Sequence, residues 1–179
     1  MKRNVLIFGI TLGTILAGNM VYMVSRLFDD VDMETNEVVG YAAMVVVFSL
    51  SFFGIRNYRN KELNGFISFG EAFKTGALIT FIGSSMYVGV WLIYYYLFAP
   101  DFIDQYSLHV LHDAARNGVS DSELAAKTKE MADFKEMYKN PLFVVLISYA
   151  EVLPVGLVVA LISALSLKRK PAAAVSEVN

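Results

Sequence analysis

Apolar positions along the chain gather into four long blocks separated by polar stretches of unequal length. The blocks cover residues 4–28, 38–55, 77–98 and 142–167. Each comes close to the roughly 20 residues that cross a bilayer as α-helix. The pattern therefore predicts four spanning helices.

The polar stretches carry their own signals. Between the first two blocks lies "DDVDMETNE", residues 29–37, with no basic residue. Between the second and third lies "YRNKELNGFISFGEAFKTG", residues 58–76. Asn64-Gly65 is a turn signal within it. Ser68 followed by Glu71 has the spacing of a capping box, which starts a helix at Phe69 and extends the third span to 69–98. Phe66, Ile67, Phe69 and Phe73 fit a membrane interface, where Lys74 snorkels to the headgroups. Ser68, Phe69, Glu71, Phe73 and Lys74 form a candidate contact segment; the plainer reading is an interfacial helix start.

Residues 100–140 are too long for a structureless connection in a compact protein. Ile103, Tyr106, Val110 and Ala114 recur at helical spacing. Asn117-Gly118 suits a left-handed helix end. Ser120 and Glu123 repeat the capping-box spacing, and Leu124, Thr128, Met131, Phe134 and Tyr138 continue a mainly apolar stripe. Asn140-Pro141 stops this helix and starts the fourth span at 141–167. The segment is expected to be a helical hairpin outside the membrane, its apolar faces packed on each other, on the bundle or on the membrane surface.

Composition sharpens this picture. Of 179 residues, 56% are hydrophobic and mean hydropathy is +0.50, against the ~45–50% apolar content of soluble domains. Cysteine is absent, which removes disulfides, thiolate metal sites and cysteine catalysis. A net charge of −2 and the lack of a basic patch interleaved with aromatics argue against nucleic acid. Basic residues sit at Lys2 and Arg3, at Arg56, Arg59, Lys61 and Lys74, and at Lys168 to Lys170. Such clusters collect on the cytoplasmic side, so both termini are expected to be cytoplasmic and the hairpin extracytoplasmic. The first block follows "MKR" but exceeds the ~7–15 apolar residues of a signal peptide, and reads as a retained helix. "WLIYYYLF", residues 91–98, reads as an interfacial aromatic belt that Tyr41 and Tyr138 join.

Candidate chemistry is sparse. His109, His112 and Asp113 share a helix face, a weak metal candidate with no second cluster to complete it; no cofactor is expected. Glu151 stands out. Nine positions into the fourth helix it lies roughly 13 Å from the outer edge, near mid-membrane, where an ionised carboxylate costs ~2.5–3.5 kcal/mol. Asn19, Tyr87 and Ser85 lie at similar depth as partners, and Pro154 can disturb the helix beside it. The structural reading is a neutral, hydrogen-bonded Glu151 that locks the bundle; the functional one is a proton or cation site. Gly9, Gly13 and Ala17, and likewise Gly156, Ala160 and Ala164, recur every four residues. Small faces of this kind allow close helix approach, so the first and fourth helices are expected to touch.

The stretches "YRNKELNGFISFGEAFKTG", "YKNP" and "EVLPVGLVVALISALSLKRK" resemble the bacterial membrane proteins grouped as domain of unknown function 4199, over nearly the whole chain. The resemblance implies a fold and supplies no mechanism. The expectation is one all-α integral membrane domain, a four-helix bundle with both termini inside, an extracytoplasmic hairpin at 100–140 and a disordered tail at 171–179. Its place would be the bacterial inner membrane. It would act without catalysis, through the bilayer and through a protein partner or another copy of itself. The alternative is a proton- or cation-coupled transporter or channel subunit built on Glu151.

Overall fold

The computed structural model describes residues 1–29 and 37–169. The expected acidic connection and the expected disordered tail fall mainly or wholly outside them. Seven helices follow in order: α1 (Lys2–Asp29), α2 (Glu37–Phe48), α3 (Leu50–Glu62), α4 (Phe69–Leu97), α5 (Phe102–Arg116), α6 (Asp121–Tyr138) and α7 (Pro141–Leu167). The described residues are all-α apart from an isolated bridge between Ile67 and Arg169.

Four helical stretches are long and apolar enough to cross a membrane: Lys2–Phe28, Val38–Glu62, Phe69–Leu97 and Pro141–Leu167. Large apolar side chains such as Ile7, Val46, Ile93 and Ile162 point outward from them, each more than half exposed. Water would penalise so continuous an apolar exterior, and lipid matches it. The chain is a membrane protein by this measure. The second span comprises two helices that meet at Ser49. There the Ser49 N–H is shared between the carbonyls of Val45 (3.0 Å) and Val46 (3.2 Å), and its hydroxyl donates to Val45 O (2.8 Å). Such back-bonding competes with the helix ladder. The span also continues past residue 55, where the apolar pattern ends, to Glu62. Arg59 and Lys61 lie in its last turn, where cations suit the helix dipole. Asn64 and Gly65 then turn the chain with φ of 51° and 86°.

The predicted caps form. The Ser68 hydroxyl accepts from the Glu71 N–H (3.2 Å) and starts α4. Ser120 does the same with Glu123 (3.3 Å) and starts α6. Gly118, at φ 68°, joins α5 to α6. The Asn140 side chain accepts from the Leu142 N–H (3.0 Å), with Pro141 opening α7. The hairpin α5–α6 is thus real as a pair of packed helices.

The packing corrects one expectation. α4 lies between α1 and α7 and packs along both, so the first and fourth spans do not form the expected interface. The small residues face α4 instead. A Cβ placed on Gly13 would lie 2.7 Å from Met86 Cβ and 3.0 Å from Gly83 O, and one on Gly9 would lie 2.8 Å from Ile82 Cβ. On the other flank a Cβ on Gly76 would lie 3.0 Å from Ala160 Cβ, while Gly156 faces Thr80 and Phe48. Ala17 and Ala164 are buried. α4 can serve two flanks because Gly76, Thr80 and Gly83 supply its own small positions. Leu12, Phe48, Ile79, Val144 and Val152 fill the main core, and Ile55, Ile67, Ala72, Ala164 and Leu167 a second one at the end where α1 begins and α7 stops.

Candidate functional site: an acid-bearing chamber under the hairpin

Three helices bring polar side chains to one level. Asn19 precedes the end of α1 by ten residues (29 − 19), Tyr87 precedes the end of α4 by ten (97 − 87), and Glu151 follows the start of α7 by ten (151 − 141). At 1.5 Å per residue each lies ~15 Å below the same end of the bundle. All three line one cavity of about 250 Å³, bordered by α1, α2, α4 and α7 and by Phe102 of α5 and Tyr138 of α6; it is open enough that Asn19 and Glu151 are exposed. A second space of about 360 Å³ lies between α2, α7 and the hairpin and shares Gly40, Met44, Phe102, Tyr138 and Glu151 with the first. Glu151 is therefore a wall of both.

The carboxylate is not locked: Glu151 makes no hydrogen bond with a described residue. The neighbouring Ser148 is buried and donates back to Val144 O in its own helix (2.7 Å). Ser85, expected beside Glu151, lies elsewhere. It accepts from the Tyr149 hydroxyl (2.9 Å) and donates to Phe81 O (2.7 Å). A helix rotates by about 100° per residue, so Ser85 and Tyr87 cannot share a face. Pro154 lies within α7, which continues through it to Leu167, and its side chain is exposed.

Aromatic side chains attach the hairpin to the bundle, and here the sequence reading needs a second correction. Trp91 and Tyr138, expected in an interfacial belt, are only 5% and 8% exposed. Trp91 meets Phe102 edge-on, with centroids 4.7 Å apart, and Tyr95 at 5.6 Å. Tyr138 meets Tyr95 at 5.5 Å, Phe134 at 4.9 Å and Phe143 at 6.0 Å. Offset and edge-to-face contacts of this kind add to the area they bury. The belt is retained in Tyr96, Leu97 and Phe98, which are exposed. Burial pushes the Tyr138 phenol above its ordinary pKa, and the Glu151 carboxylate adds to that direction. Tyr138 therefore stays a proton-bearing hydrogen-bond donor.

Trp91, Phe102, Tyr138, Met20 and Met44 were missed as chamber residues. The available signal was the i, i+4 pairing of Phe102 with Tyr106 and of Phe134 with Tyr138, which marks the inner face of each hairpin helix. His109 is buried and its Nδ1 lies 2.9 Å from Gln105 O. His112 and Asp113 are half-buried. Among the described residues no group of three His, Cys, Asp or Glu side chains is placed to hold a metal ion. Ser68 and Glu71 are engaged in their cap, Phe69 stacks on Phe73 at 6.1 Å, and Lys74 is exposed.

The profile of one family, described as protein of unknown function (DUF4199), matches residues 6–169. The chain belongs to that family. The match spans every residue that lines the chamber. No curated protein and no solved structure matches the chain. For this DUF4199 member, kinship supplies no activity, and the site has to be argued from its own chemistry.

Proposed function

We propose that this is a non-enzymatic integral protein of the bacterial inner membrane that works by binding, with the chamber and its hairpin roof as the binding unit. One observation carries the reading: Glu151 faces a chamber rather than a hydrogen-bonding partner. Glu151 is exposed to the chamber side of the bundle, and a carboxylate at this depth among apolar helices without a protein partner is costly, so its use lies with something that reaches it. Among the described residues, the polar or polarisable groups around it are one carboxamide, phenols, an indole, thioethers and the Ser148 hydroxyl, which donates to its own helix. None is an activated nucleophile, and catalysis would ask for a second convergent reactive group.

The charge pattern supports an orientation with both termini in the cytoplasm and the hairpin outside. Lys2, Arg3, Arg56, Arg59, Lys61, Lys168 and Arg169 all lie toward the end opposite the hairpin, as expected of the inward side. The chain has no native cysteine, so single cysteines report cleanly. In intact cells, Ala125→Cys is expected to react with a membrane-impermeant maleimide and Lys61→Cys only after lysis; the reverse pattern inverts the topology.

Native mass spectrometry of protein extracted from its own membrane tests the binding reading. Wild type is expected to carry a bound species or partner that Met20→Trp, which fills the chamber, loses. The reading fails if wild type is always empty and Met20→Trp complements a deletion strain as well as wild type in competitive growth. A second reading, a proton- or cation-coupled transport subunit, is favoured by the same unbonded Glu151. It requires flux in proteoliposomes that Glu151→Gln abolishes.

A further inference from the structure

The lining of the chamber identifies a ligand class, an inference that rests on the binding reading above. A hard metal ion is a poor match. Calcium or magnesium takes about six or more oxygen ligands, and the described lining offers one carboxylate beside the neutral side-chain oxygens of Asn19, Tyr87, Tyr138 and Ser148. An anion would face Glu151 with no described cation to offset it, since among the described residues no Lys or Arg lines either space. A neutral apolar ligand would leave the carboxylate without a partner. What remains complementary is a positive charge spread over an apolar body. Rings suit such a charge, because an organic cation is drawn to an aromatic face within about 6 Å. Tyr87, Trp91, Phe102 and Tyr138 supply four rings beside Glu151. Met20, Met23 and Met44 add unbranched, polarisable side chains, which adapt to an irregular apolar shape.

Size agrees. The space beside Asn19, of about 250 Å³, is below the ~300–1,000 Å³ of pockets for drug-sized ligands. The neighbouring space of about 360 Å³ is lined by Tyr41 and Tyr106 and also by Glu151, so the carboxylate borders both. We propose that the chamber binds a small lipophilic organic cation, an alkyl- or arylammonium, with Glu151 as its counter-charge and the surrounding rings as its cage.

Trp91 is the chain's single tryptophan and lines the chamber, so its fluorescence reports the site directly. Full-length protein in nanodiscs is titrated with benzyltrimethylammonium and, separately, with neopentylbenzene, which has the same shape without the charge. The cation is expected to change Trp91 emission saturably. The uncharged analogue is expected to bind at least about tenfold more weakly, and Glu151→Gln to weaken the cation by a similar factor. Glu151→Asp keeps the charge and should retain most of the affinity, which separates loss of charge from loss of fold. Equal affinity for both probes, or full affinity in a correctly folded Glu151→Gln protein, overturns the cation assignment and leaves the binding reading in place. Acrylamide quenching in the same samples distinguishes the remaining outcomes. If Trp91 is quenched by acrylamide but untouched by the cation, the cation assignment alone falls. If acrylamide does not reach Trp91 either, the cation assignment still falls, and native mass spectrometry of the same protein decides the binding reading.

Discussion

The two ends of the helix bundle are built on different principles. At the end where α1 begins and α7 stops, polar groups tie the chain to itself. The Asn4 side chain donates to Gly54 O (2.8 Å) and accepts from Asn57 (2.6 Å). The N-terminal amine pairs with Glu62, and Arg59 donates to Leu167 O (3.2 Å). Ile67 and Arg169 exchange backbone hydrogen bonds of 3.0 and 2.9 Å, and the Arg169 guanidinium lies over the Phe66 ring. At the hairpin end, bulky rings hold two added helices over the bundle and leave space beneath them. Hydrogen bonds demand a fixed geometry and close a structure around themselves. Large flat side chains brace one another here at 4.7–6.0 Å between centroids and still bound an opening. The first arrangement suits an anchor, the second a site.

Several substitutions would break or sharpen that contrast. The largest effect is expected at the aromatic end. Trp91→Ala should cost about 3–5 kcal/mol, as for other buried aromatic truncations, and should free the hairpin to proteolysis before the bundle melts in detergent. If the hairpin stays as resistant as in wild type, the rings are not what holds it. Asn4→Ala comes next, at about 1–3 kcal/mol, because it leaves Asn57 without its buried acceptor. Thermal unfolding should drop while hairpin proteolysis remains at wild-type rate; a change in hairpin cleavage would mean the two ends are coupled.

A smaller effect concerns the hairpin alone. Hydrogen bonds from Ser120 hold the Glu123 carboxyl below its ordinary pKa, so its contribution is complete above the unfolded-state pKa and is lost as pH falls through the folded one. Hydrogen exchange at the start of α6 should therefore accelerate on acidification, and Glu123→Gln should flatten that dependence. An unchanged pH response in the variant would remove the capping box as its cause. The smallest effect is expected from Glu151→Gln, within ~0.5 kcal/mol of wild type, since the carboxylate holds nothing in place. A loss as large as that of Asn4→Ala would make Glu151 part of the scaffold and erase the contrast between the ends.

Local rules were readable because they need only neighbours in sequence. Ser68 with Glu71, Ser120 with Glu123, Asn64-Gly65 and Asn140-Pro141 each define a start or a turn within a few residues, and each forms. The chamber was legible in part. Depth follows from counting along a helix, so Asn19, Tyr87 and Glu151 could be placed at one level. Azimuth does not follow in the same way, and Ser85, two residues from Tyr87, faces Tyr149 instead. Small-residue spacing identified the close-packing faces of α1 and α7 without identifying what each packs against, because Gly76, Thr80 and Gly83 of α4 complement both.

The order of residues by itself determined four helical stretches long and apolar enough to cross a membrane, a helical hairpin before the last of them, and how far along the fourth a carboxylate lies. Apolar run length, caps and helical rise are properties of a segment alone. Only the tertiary structure decided that α4 is the central helix, that Trp91 and Tyr138 turn inward to hold the hairpin, and that Glu151 opens on a space rather than on Asn19. Those outcomes depend on which faces of separate helices meet. In an apolar helix the faces are chemically alike, so packing shape, and not the hydrophobic pattern, selects among them.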